Sequence, residues 1–204
     1  MISGKIGDGA QVILKGIIAT LIFFRIRPNH LTFFGFLMSI VVAYFFAVGE
    51  FFTAGFTLIL AGLFDMVDGM VARKLGEVTE FGAFFDSIMD RYSDLVMYLG
   101  LLIYYGSQGR DNYVILVGIV MMGSVLTSYA RARAECLIPS CKVGFLERPE
   151  RIVLLLIGSF YYMDPCLWVI AFFSNWTVIH RILYTRAEMK GIKSLVNQPI
   201  DKYL

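Results

Sequence analysis

Apolar residues run along this chain in long blocks, not in the strict alternation of a half-buried strand. A helix needs roughly 20 predominantly apolar residues to cross a bilayer. Six blocks approach that length: about 31–48, 51–72, 81–105, 113–130, 151–163 and 166–183. Between them fall Gly49-Glu50, residues 106–112 and Asp164-Pro165, which read as short turns, while residues 131–150 form the longest loop. The fifth block is short, so its helix is expected to begin earlier, near Glu147. Residues 10–24 are apolar but flanked by basic residues and too short to span, which fits an amphipathic helix lying in the interface.

Composition agrees. Hydrophobic residues make up 58% and charged residues 17% of the 204-residue chain, against roughly 45–50% and about 25% in soluble domains. The expected fold is an all-α integral membrane protein with six transmembrane helices behind an N-terminal interfacial helix. It is read as one domain over 1–204: an interfacial part at 1–30, the spans within 31–185 and a cytosolic tail at 186–204.

Basic residues orient it. With the N-terminus in the cytosol, sixteen Lys and Arg fall on the cytosolic side, Arg110 alone outside, and Arg91 within a span. Both termini then face the cytosol of a cell membrane. No cleavable leader is expected, because Lys15 interrupts the first apolar stretch and no small-residue cleavage site follows it. A net charge of only +2 gives no polybasic signature for nucleic acid. Cys136, Cys141 and Cys166 have neither the number of a disulfide framework nor the spacing of a zinc site.

Against this background the carboxylates stand out. Asp65 and Asp68 are three residues apart in the second span, and Asp86 and Asp90 four apart in the third. Each pair shares a helix face, and a short loop makes the two helices antiparallel neighbours. Asp65 precedes Arg73 by eight residues, which puts it about 12 Å below the cytosolic edge. An Asp at the bilayer centre costs about 2.5–3.5 kcal/mol on the lenient insertion scale, so these groups face a wet cavity, a cation or both. Hard oxygen ligands favour Mg2+, Mn2+ or Ca2+. Arg91 is the only cation within these spans, too few to neutralise the set as a purely structural network. A small cation transporter would also need buried carboxylates, although the internal repeats and broken helices common in transporters are not visible.

The run Asp65-x2-Asp68-Gly69-x2-Ala72-Arg73-x8-Gly82-x3-Asp86-x3-Asp90 resembles the signature of the CDP-alcohol phosphotransferase family at all eight fixed positions. The resemblance implies transfer of a phosphatidyl-type group from a CDP-lipid, on a diacylglycerol or archaeol skeleton, to an alcohol with release of CMP. It implies Asp65, Asp68, Asp86 and Asp90 as ligands of two Mg2+ or Mn2+ ions, and Asp90 as the general base. Asp68, Gly69, Ala72, Arg73 and Gly82 would line the CDP site. Asn29 and Thr32, in a stretch similar to the family's P-N-x-[LIV]-T, are further CDP candidates; a Pro-initiated helix start explains that stretch structurally as well. Asp94 falls outside the signature and reads as a structural partner of a basic side chain. Family members form homodimers, which the resemblance extends to this chain.

The acceptor is read from the arginines. Ser128-Tyr129-Ala130-Arg131-Ala132-Arg133-Ala134-Glu135 and Glu147-Arg148-Pro149-Glu150-Arg151 resemble the family branch that uses inositol phosphate. Arg133, Arg151 and Arg181 are the candidate acceptor ligands, since a planar guanidinium fork suits a phosphorylated polyol; Arg148 reads as a membrane anchor. Glycerol phosphate, serine and other alcohols remain open as acceptors.

Overall fold

The structure, a computed structural model, describes residues 28–75 and 79–196. The expected interfacial helix at 10–24 and the end of the tail lie outside the described residues. All regular structure described is helical: α1 (Pro28–Ala47), α2 (Phe51–Leu75), α3 (Glu80–Ser107), α4 (Asp111–Glu135), α5 (Arg148–Phe160) and α6 (Met163–Val196). The chain divides into two compact units, Met1–Tyr104 and Tyr105–Leu204.

In the first unit α1 packs along α2. Its 20 residues make a rod of about 30 Å, enough to cross the hydrocarbon core. The turn into α2 hinges on Gly49 at φ +83°, a backbone region that side chains disfavour, with the Tyr104 ring lying where a Cβ would stand. On α3, Gly100 lies against the backbone of Ala43, so that any side chain there would collide with α1. Toward the other end Leu31 packs with Val67 and Val71, backed by Phe64 and Met70. This cluster holds the start of α1 beside the stretch of α2 that carries the aspartates.

In the second unit α6 packs against both α4 and α5. Gly123 permits the close approach to α6, because a Cβ there would meet Ser174 and the Asn175 amide within 3 Å. The Asn175 amide donates to the carbonyls of Ala171 and Ile119. At the far end, Arg110 pairs with Asp164 at 2.5 Å, lies 3.9 Å over the Tyr113 ring, and shares Asp164 with the Tyr105 hydroxyl. The hydrogen bond to Asp164 pushes the Arg110 guanidinium pKa further up.

Three boundaries differ from the sequence expectation. α4 continues to Glu135, supported by an i,i+4 pair between Arg131 and Glu135 at 3.2 Å. The turn before α6 comes at residues 161–162, so Asp164-Pro165 lies inside the first turn of α6, where proline's missing N–H has no intrahelical acceptor. α6 runs for 34 residues, about 51 Å, and most of the segment expected as a tail is helix. α5 begins where expected, with Glu147 as its N-cap.

Candidate active site

The carboxylates meet first. Asp65 on α2 and Asp86 and Asp90 on α3 bring one oxygen each to within 4.8 Å of one another. Asp86 and Asp90 are half-buried and Asp65 is exposed. Three anionic groups at that spacing repel strongly in a medium poorer than water, and a divalent cation among them turns the repulsion into coordination. The chemistry is that of a hard, all-oxygen site, suited to Mg2+ or Mn2+ and unsuited to zinc or copper.

Local structure builds this arrangement. Thr79 caps α3: its hydroxyl accepts the Gly82 N–H at 2.9 Å, and its carbonyl accepts the Ala83 N–H at 3.1 Å. That fixes where α3 begins, and so which face carries Asp86 and, one turn later, Asp90. Arg91 donates to the carbonyl of Ser87 on the same helix. Arg73 is exposed near the end of α2, Gly82 is half-buried and Thr32 is buried on α1. Asp94 is buried one turn beyond Asp90. The surroundings of Asn29, Asp68, Gly69 and Ala72 lie outside the described residues, although α1 and α2 run through these positions.

In the second unit two of the three candidate acceptor arginines are buried, Arg151 at 2% exposure and Arg181 at 3%. Arg181 donates from Nε to the Val143 carbonyl at 2.8 Å, from Nη1 to the Thr127 carbonyl at 2.6 Å and from Nη2 to Glu147 at 2.7 Å. Arg151 donates to the Thr127 hydroxyl at 3.3 Å. Arg131 reaches the same oxygen of Glu147 at 3.3 Å. Three guanidiniums, Arg131, Arg151 and Arg181, thus share a cluster with the Thr127 hydroxyl and two carboxylates, Glu135 and Glu147. Arg133 is exposed and lines a groove shared by α4 and α6.

The loop before α5 is pinned to this cluster. The N–H groups of Phe145 and Leu146 donate to the Thr177 hydroxyl at 3.1 and 3.2 Å. Gly144, at φ +147°, passes so close to Thr177 and Arg181 that a Cβ would collide with the Thr177 methyl. Sequence reasoning missed Thr127, Thr177, Glu147 and Arg131 as parts of this cluster. Arg131 and Glu147 left a signal, since they fill the basic position of the Ser-Tyr-x-[Arg/Lys]-Ala-Arg pattern and the first position of Glu-Arg-Pro-[Asp/Glu]-Arg; lone threonines carry no spacing to detect.

Comparison with known proteins gives this geometry a family. The profile described as CDP-alcohol phosphatidyltransferase matches residues 25–185, through both units. The archaetidylinositol phosphate synthase of Methanothermobacter thermautotrophicus is 35% identical over 169 residues, covering 79% of this chain and 84% of that protein. The crystal structure of Mycobacterium tuberculosis phosphatidylinositol phosphate synthase with CDP-DAG bound is 32% identical and superposes with a TM-score of 0.79, covering 85% of this chain and 93% of that one. The same enzyme in complex with manganese and citrate gives 0.77 at 32% identity, over 84% and 88% of the two chains. This chain is a multi-pass membrane enzyme and belongs to the CDP-alcohol phosphatidyltransferase family.

Proposed function

We propose that this enzyme transfers a phosphatidyl-type group from a CDP-lipid to a hydroxyl of inositol phosphate, releasing CMP at the cytosolic face of the membrane. The observation that carries the reading is the convergence of Asp65, Asp86 and Asp90. Together with Asp68 they would hold two divalent ions, Mg2+ or Mn2+, which supply charge neutralisation at the pyrophosphate and at the departing CMP. Asp90 accepts the proton of the attacking hydroxyl. The hydroxyl oxygen then bonds to the lipid-bearing phosphorus as the bond to the CMP oxygen breaks. Asp68, Gly69, Ala72, Arg73, Gly82, Asn29 and Thr32 line the CDP moiety in this reading, and Arg73 suits a phosphate oxygen.

The acceptor assignment rests on Arg133, Arg151 and Arg181. Two arguments support it: the gathering of the Arg131, Arg151 and Arg181 guanidiniums about Glu147 and Thr127, and the names of the archaeal and mycobacterial relatives. A neutral alcohol has no use for such a set of guanidiniums. The enzyme acts as a homodimer in this reading. Purified protein given CDP-diacylglycerol and a panel of acceptors tests it. Inositol phosphate should support CMP release at concentrations where free inositol, serine and glycerol phosphate do not. Equal use of free inositol would move the chain to a neutral-alcohol branch.

A further inference from the structure

Along α4 and α6 runs a groove of about 660 Å³ that shares Arg133 and Arg181 with the proposed acceptor site and extends past them to residues the proposed reaction does not use. Its deep end is apolar, with Leu126 and Val178, and its wall continues through Ile182 and Leu137. Its other end is basic, with Arg186 and Lys190 beside Arg133. From Val178 to Lys190 the wall is twelve residues long, about 18 Å, which suits an acyl chain lying along the helix. None of the residues lining it is acidic. Arg186 and Lys190 are exposed, stand one turn apart on α6, and form no ion pair among the described residues. Like charges at that spacing repel unless an anion lies between them.

We propose that this groove is a binding site for an anionic phospholipid, separate from the CDP-lipid that reacts. Its acyl chains lie on the Leu126–Val178–Ile182 wall and its phosphate lies between Arg186 and Lys190. The pattern of charge and apolarity selects this occupant. A soluble anion leaves the apolar wall uncovered. A neutral lipid leaves the cations unanswered. A second copy of the chain docking by two-fold symmetry presents the same basic surface rather than its complement. Basic pockets between membrane helices are suited to anionic head groups. Arg133 and Arg181 are shared with the acceptor reading; Arg186 and Lys190 are not, so the test rests on them.

The full chain in detergent is mixed with phosphatidylglycerol or phosphatidylcholine of equal chain length, and retained lipid is read by native mass spectrometry. Wild type should retain phosphatidylglycerol preferentially. The double variant Arg186→Glu, Lys190→Glu should lose that retention by at least about tenfold, with CMP release and the KM for CDP-lipid unchanged. Ile182→Trp, which fills the wall and keeps the charges, should lose it as well. Equal retention of both lipids, or undiminished retention in the double variant, overturns the proposal. So does displacement of the lipid by inorganic phosphate alone. If lipid loss comes with a raised KM for CDP-lipid, the groove belongs to the substrate. If the double variant changes the oligomeric state and not lipid retention, a second copy covers it.

Discussion

Asp90 stands one turn from Asp86 and opposite Asp65, with the three oxygens within 4.8 Å of one another, so each carries a separable duty. Asp90→Asn keeps the shape and removes the proton acceptor. CMP release should fall about 10²–10⁴-fold while CDP-lipid binding, measured by calorimetry, is largely kept; near-normal turnover would show that Asp90 is not the base. Asp65→Asn and Asp86→Asn should instead weaken Mn2+ binding, and with it nucleotide binding. The arginines separate in a similar way. Arg133 is exposed, so Arg133→Ala should raise the KM for inositol phosphate and leave Tm unchanged. Arg181→Ala strips the buried partners of Thr127, Val143 and Glu147 and should lower Tm as well, by several degrees, since unpaired buried groups cost about 1–3 kcal/mol each. Equal Tm losses in both variants would contradict that division. The aspartates were legible in the sequence because carboxylates in an apolar run have few explanations. The embrace of Arg181 was not, because it depends on two backbone carbonyls, and every residue has one.

Among the elements, α5 shows how local chemistry fixes a boundary. Glu147 and Glu150 form a reciprocal capping box, and Pro149 sits in the first turn. Glu147 also ties Arg131 and Arg181, so the start of α5 and the arginine cluster are set by one side chain. Glu150→Ala removes the cap without touching the arginines and should cost about 1 kcal/mol, visible as a lowered Tm with an unchanged KM for CDP-lipid. Gly100 marks a different constraint. Gly100→Leu should drive α3 away from Ala43 and abolish the monodisperse peak in size-exclusion chromatography; a normal peak would show that the packing can yield. The helices themselves were readable from hydrophobic block length, since lipid demands long apolar runs. Their ends were less readable. Asp164-Pro165 looks like a turn in sequence, yet proline is equally at home in a helix's first turn, and only the Arg110–Asp164 pair and its tyrosines mark which applies. The helical extension of α6 past residue 183 was hidden because Arg186, Glu188 and Lys190 interrupt the apolar run there.

At the scale of the whole molecule, three helical stretches among the described residues, His30–Ala47, Asp111–Glu135 and Met163–Gly191, are long and apolar enough to cross a membrane by length and composition alone. α3 departs from that standard because it carries Asp86, Asp90, Arg91 and Asp94, and α5 because its 13 residues reach only about 20 Å. In α3 the departure falls on the aspartate-bearing stretch, where polar groups are worth their cost in lipid. The central claim is that the aspartate cluster, loaded with a divalent cation, drives phosphatidyl transfer to a phosphorylated polyol. CMP release from CDP-diacylglycerol and inositol phosphate, followed in Mg2+, then in excess chelator, then after Mn2+ is restored, tests it most directly. The account predicts release that stops with chelator and returns with Mn2+ in wild type, but does not return in Asp86→Asn at the same Mn2+ concentration. Undiminished release in excess chelator would contradict it.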